Sequence, residues 1–158
     1  MAKRYWLFKS EPTTYSVDDL AKEPDQTDYW DGVRNYQARN MLRDDIKKGD
    51  EVLFYHSRTK VPGIVGICSV ARSGYPDTAA FDPDSKYFDP KSSPDNPRWY
   101  MVDVKLKKKL PEIISLTDLK AMPGLENMAV TRKGSRLSIQ PVTQEEWKVI
   151  MTRSKGMK

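Results

Sequence analysis

The chain has one cysteine, Cys68, and one histidine, His56, among its 158 residues. A lone thiol forbids an internal disulfide and fits a reducing compartment. One thiol and one imidazole cannot build a Cys/His zinc site, so a zinc-dependent base deaminase would lack its ligands. Neither a Gly-x-Gly-x-x-Gly turn nor a Walker loop is present, which excludes the common phosphate cradles. No apolar run approaches the ~18 residues of a membrane-spanning helix. The first residues, Met-Ala-Lys-Arg-Tyr-Trp, lack the apolar centre of a signal peptide. Internal repeats and low-complexity tracts are missing as well. The expectation is a soluble cytoplasmic protein, nuclear if its source is eukaryotic, with no metal site, no cofactor and no membrane partner.

What is present suits a single folded domain. The hydrophobic share is 38% and the charged share 31%, outside the disorder regime. The net charge is +5, and its distribution is uneven. Residues 1–50 carry 9 basic and 10 acidic side chains, residues 51–100 carry 6 of each, and residues 101–158 carry 12 and 6. The excess therefore lies in the last third, in Lys105, Lys107–Lys109, Arg132, Lys133, Arg136 and beyond. Such a surface suits phosphate, or serves only solubility.

Taken in order, Tyr5 to Lys9 alternates and is aromatic-rich, a strand signal ended by Pro12. Ser16-Val-Asp-Asp reads as a capping box opening a short helix. Residues 24–29 read as a polar loop. A helix follows Arg34 and runs to about Ile46. Glu51–His56 and Val61–Val70 read as an antiparallel pair, the second kinked by Pro62, Gly63 and Gly66. Residues 74–99 form a long loop rich in Pro, Asp and aromatics, a length that implies work or packing. Tyr100–Leu106 alternates again, with Pro111 closing it, and Arg136–Gln140 gives a last strand before Pro141. Thr143-Gln-Glu-Glu is a second capping box, for a helix to about Thr152. Strands and helices do not alternate as a doubly wound sheet requires. The fold class is α+β: a small mixed or antiparallel β-barrel of five to six strands with short peripheral helices. One domain spans 1–152, and 153–158 form a short basic tail.

The stretch from Trp30 to Asn40, Trp-Asp-Gly-Val-Arg-Asn-Tyr-Gln-Ala-Arg-Asn, organises the rest. Asp31-Gly32 signals a turn. Ala38, Met41 and Leu42 then fall on one helical face. Trp30, placed on a loop, and Tyr36 offer flat apolar faces, and Asn35 pairs a donor with an acceptor. These are the parts that hold a planar, hydrogen-bonding ring such as a nucleobase; equally, both aromatics could be core. His56 either caps its strand or lines a pocket with Trp30, Asn35 and Ser10. The carboxylates Asp77, Asp82, Asp84, Asp89 and Asp95 stand among prolines, which favours turn formation over metal binding.

These residues resemble the EVE domain family. The resemblance rests on Tyr5-Trp-Leu-Phe-Lys-Ser-Glu-Pro12, on Trp30–Asn40, on Phe54-Tyr-His-Ser57 and on Gly63-Ile-Val-Gly66. Tyr75-Pro-Asp77, Asn96-Pro-Arg-Trp99 and Ser135–Val142 continue it, in order, over residues 3–152. The short N-terminus leads to the expectation of a stand-alone bacterial form. The resemblance implies a PUA-like barrel that binds nucleic acid, DNA or RNA, as a monomer and without catalytic residues. It implies a modified base as ligand, methylated or hydroxymethylated cytosine foremost. In such a pocket Trp30 would stack, with Val33 and Tyr36 beside it. Lys9 and Ser10 would meet one edge of the base, and Asn35 would read its Watson–Crick edge. His56, Ser57 and Arg58 would close the far side, and Arg136 and Ser138 would meet base or phosphate. The alternative is an enzyme acting on a nucleobase or small metabolite with His56 and a carboxylate of the 77–95 loop.

Overall fold

The structure is a computed structural model describing residues 3–132 and 137–155. Its centre is a six-stranded mixed sheet. In chain order the elements are β1 (Tyr5–Ser10), α1 (Val17–Ala21), β2 (Thr27–Trp30), α2 (Tyr36–Asn40), β3 (Glu51–His56), β4 (Gly63–Pro76), β5 (Tyr100–Ser115), α3 (Leu116–Ala121), β6 (Ile139–Val142) and α4 (Gln144–Lys155). The strand order is β2-β5-β4-β3-β1-β6. β1 and β3 run parallel, joined by the long crossover that such a pair demands. The other neighbours are antiparallel.

Both faces of the sheet are covered, and alternation along each strand sorts its side chains between two cores. Trp6 and Phe8, Val52 and Phe54, and Val102, Val104 and Leu106 enter the first, under Val17 and Leu20 of α1 and Leu42 after α2. Leu7, Leu53, Tyr55 and Ile114 enter the second, under Leu119 of α3 and Trp147 and Ile150 of α4. Phe8, Leu42, Phe54 and Leu119 are fully buried, each worth roughly 1.5–3 kcal/mol over exposure. Both expected capping boxes form. The Asp19 amide donates to Ser16 Oγ at 3.1 Å and the Ser16 amide to Asp19 Oδ2 at 2.8 Å. Thr143 and Glu146 repeat the pattern at 2.9 and 3.1 Å.

Four expectations need correction. Residues 27–30 are strand, not loop, paired with Val102–Lys105. Strand β4 runs on to Pro76, past Val70. Strand β5 passes through Pro111 to Ser115. Its pairing with β4 jumps from Ile114 to Lys109 as β4 passes from Ile64 to Gly66, so Pro111 sits in a bulge where no ladder donor is needed. Strand β6 likewise includes Pro141, which an edge position tolerates.

β2 and β6 end the ladder on opposite sides, so hydrogen bonding does not close it into a ring. The sheet nevertheless curls enough to bring the end of edge strand β2 against β1, the neighbour of the other edge strand. Trp30 of edge strand β2 packs edge-on against Phe8 of β1, ring centres 5.2 Å apart. The result is an open barrel with a seam.

Candidate functional site

A cavity of about 380 Å³ lies at that seam, within the usual range for small-ligand pockets. Lys9 and Ser10 at the end of β1 and Tyr29 and Trp30 at the end of β2 line it, with Ser138 just before β6. The turn Asp31–Arg34 and the tip of the long loop, Lys86 and Tyr87, complete its mouth.

Trp30 is 8% exposed. Its indole meets both Phe8 and Phe54 edge-on at 5.2 Å. It is thus part of the first core and the floor of the cavity at once. Tyr29, by contrast, is 54% exposed. Tyr15 stands in the wall, its hydroxyl donating to Asp28 Oδ2 at 2.7 Å. Burial and that carboxylate together push the phenol far above its usual range. Ser10 Oγ donates to the Tyr15 carbonyl at 2.6 Å.

The mouth is held by a buttress from the long loop. Asp77 is fully buried. Its Oδ2 accepts from the Gly32 amide at 2.9 Å and from Arg34 Nη1 at 3.0 Å, and its Oδ1 from the Ala79 amide at 2.9 Å. Arg34 also donates to the Tyr87 carbonyl through Nε at 3.2 Å and Nη2 at 2.7 Å. Gly32 has φ +78°, and a Cβ there would lie 2.5 Å from Tyr87 Cζ. Only glycine allows this turn and the approach of the tyrosine ring over it. From the mouth out to the surface of α2, cations lie over rings: Lys86 on Tyr87 at 5.0 Å, Arg34 on Trp99 at 5.4 Å and Arg39 on Tyr36 at 5.0 Å. Such contacts are individually worth ~0.5–2 kcal/mol.

Two charges in the lining, Lys9 and Asp31, have no salt-bridge partner among the described residues. Lys9 is half-buried, makes no salt bridge among the described residues, and is lowered by burial from its usual pKa. Asp31 is also partly buried, and its carboxylate accepts no bond from another described residue. Burial, then the charge of Asp77, raises its pKa.

Of the expected site residues, Lys9, Ser10, Trp30, Val33 and Ser138 come together in the cavity. Asn35 does not line it: its Oδ1 accepts from the Ala38 amide at 3.0 Å and caps α2. Tyr36 is on the outer surface, stacked on Trp99 at 4.9 Å. His56 Nε2 accepts from the Val17 amide at 3.1 Å, tying β3 to α1. The Ser57 amide donates to the Ser10 carbonyl at 2.9 Å and so steadies the end of β1. Arg58 reaches Glu11 at 3.4 Å from a side chain 84% exposed. Arg136 lies outside the described residues. The carboxylates nearest in effect to His56 are Asp18 and Asp19, not those of the 77–95 loop. The loop aspartates do form turns: Asp82 accepts from the Asp84 amide and Asp89 from the Lys91 amide, each at 2.9 Å.

Sequence reading missed Tyr29, Asp31, Arg34, Lys86 and Tyr87 as lining. Asp31 and Arg34 stood inside the singled-out stretch, and Tyr87 was one of the loop aromatics expected to pack. The basic excess of β5 is largely compensated. Lys105 pairs with Asp25 at 3.2 Å, Lys107 with Glu51 at 2.6 Å, and Lys109 with Asp18.

The sequence model of the EVE domain matches residues 4–153. Human thymocyte nuclear protein 1 is 43% identical over 165 residues, covering 94% of this chain and 72% of that protein. A crystal structure of human THYN1 protein in complex with DNA containing 5-methylcytosine superposes with a TM-score of 0.91 at 40% identity, over 99% of this chain and 100% of that one. A crystal structure of a Pseudomonas putida protein is 47% identical, with a TM-score of 0.90, covering 95% of this chain and 99% of the other.

Proposed function

The chain belongs to the EVE domain family, and from that premise we propose that it is a non-catalytic nucleic-acid-binding module that holds a modified cytosine in the seam cavity. The observation that carries this reading is the cavity itself: ring-walled, of small-ligand size, and lined by a cation and a carboxylate without salt-bridge partners among the described residues. DNA is the favoured carrier, because the solved human relative is described with DNA containing 5-methylcytosine. Swinging a base out of its stack costs a few kcal/mol, and stacking returns ~1–3 kcal/mol per base. Trp30 forms the floor, Tyr29 and Tyr87 flank the mouth, and Lys9 and Lys86, which lack salt-bridge partners among the described residues, would meet base or phosphate. Absence of catalysis is supported by the fate of the reactive groups. The His56 imidazole is occupied by the α1 amide, and Cys68 is wholly buried with its thiol pushed up to about 12.

Titration of tryptophan fluorescence with matched oligonucleotides tests this. DNA and RNA would carry cytosine, 5-methylcytosine or 5-hydroxymethylcytosine, at two salt concentrations. A modified base in DNA is expected to bind roughly 10–200-fold tighter than cytosine, the usual worth of a methyl in an apolar pocket, and Tyr87→Ala should reduce the preference. Equal, steeply salt-dependent binding of all oligonucleotides would contradict the reading.

A further inference from the structure

Two neighbouring carboxylates, Asp31 in the cavity lining and Asp77 buried behind it, are treated differently by the fold. Asp77 takes three donors and is fully satisfied within the fold. Asp31, on the turn that Asp77 braces and in the lining of the cavity, takes none from another described residue. A partly buried carboxylate beside a second negative charge costs free energy unless a donor arrives. Arg34, the cation of this turn, is already divided between Asp77 and the Tyr87 carbonyl. The fold leaves its donor to solvent or to an occupant, and an occupant carrying an N–H would supply it.

We propose that Asp31 is the specificity-determining residue of the pocket: it accepts a hydrogen bond from the exocyclic amino group of the bound base and turns away bases with a carbonyl there. This rests on the function proposed above and names the chemistry by which that site selects. Cytosine and its C5-modified forms present an amino group at C4, where thymine and uracil present a carbonyl oxygen. A carboxylate facing that oxygen places two acceptors together with no proton between them. The pairing matters because 5-methylcytosine and thymine carry the same C5 methyl. Shape and apolar contact alone cannot separate them, and Asp31 can.

The test compares duplexes identical except for one position, holding 5-methylcytosine, thymine or cytosine, each opposite guanine so that thymine is mispaired and easily extruded. The wild-type chain and the Asp31→Ala and Asp31→Asn variants are titrated, and thermal unfolding confirms that each variant is folded. The wild type is expected to prefer 5-methylcytosine over thymine by about 10- to 100-fold, the usual worth of a good base-edge contact. Asp31→Ala should remove that preference, and Asp31→Asn, whose amide also donates, should shift it toward thymine. If wild type prefers 5-methylcytosine over cytosine, and both variants keep its preference over thymine, Asp31 is not the selector although the pocket reads bases. If wild type does not distinguish the three, the function proposed above fails with it.

Discussion

At the scale of residues, the turn after Trp30 carries the strictest requirement. Gly32→Ala forces a side chain onto a left-handed φ and into the Tyr87 ring. A loss of at least ~1–2 kcal/mol from the backbone alone is expected, more if Tyr87 cannot move. Chemical denaturation should record it, together with weaker oligonucleotide binding. Trp30 is a poor probe of binding, because truncating a core tryptophan costs ~3–5 kcal/mol in any case. His56 offers a pH test, being the sole histidine. Burial holds its imidazole below the usual range, opposed by Asp18 and Asp19. The unfolded chain therefore binds the proton first, near pH ~6.5. The histidine's contribution to stability is full above that value and is lost as pH falls toward the folded one. Thermal midpoints from about pH 7.5 down to about pH 5.5 should drop more in wild type than in His56→Gln, which keeps an acceptor for the Val17 amide. Parallel curves would overturn this role.

At the scale of elements, the 77–99 loop is a working part of the scaffold, anchored by Asp77, Trp99 and Arg34. Trp99 Nε1 donates to Asp89 at 2.7 Å. Arg34→Ala would leave the Asp77 carboxylate buried without its cation, a break that costs ~3–5 kcal/mol when both partners are buried. The Arg34 side chain is 23% exposed, so a loss near the lower end, about 3 kcal/mol, is expected in denaturant melts. A change below ~1 kcal/mol would show that backbone amides suffice for Asp77. The same loop shows the limit of local reading. Its aromatics and turn-forming aspartates were legible, but the contact of Tyr87 with Gly32 spans more than fifty positions and leaves no periodic trace. β2 was hidden for a related reason. Thr27–Trp30 is short and polar, and its pairing with β5 alone makes it a strand. Both capping boxes were legible because their chemistry closes within four residues.

At the scale of the molecule, one device organises the site: a sheet that curls until the ends of β1 and β2 line one cavity without pairing. The strand count and the weight of residues 30–40 were legible in the sequence, since these follow from alternation and composition, whereas burial on both faces of the sheet emerged from the structure. The sequence could not give the seam, which depends on strand order and on the parallel pairing of β1 with β3. Of the residues expected at the site, Lys9, Ser10, Trp30, Val33 and Ser138 line the cavity, while the polar atoms of Asn35 and His56 bond backbone amides outside it. Charge balance also became visible only in three dimensions, where acidic partners compensate Lys105, Lys107 and Lys109. The measurement that tests the central claim most directly is amide and indole NMR during titration with an oligonucleotide carrying one 5-methylcytosine. The expected result is a set of shifts at the Trp30 indole and at Lys9, Asp31, Gly32 and Tyr87, with the Trp6 indole, held by Asp50 at 3.0 Å, unmoved. Shifts confined to the β5 lysines, with Trp30 and Gly32 silent, would contradict it.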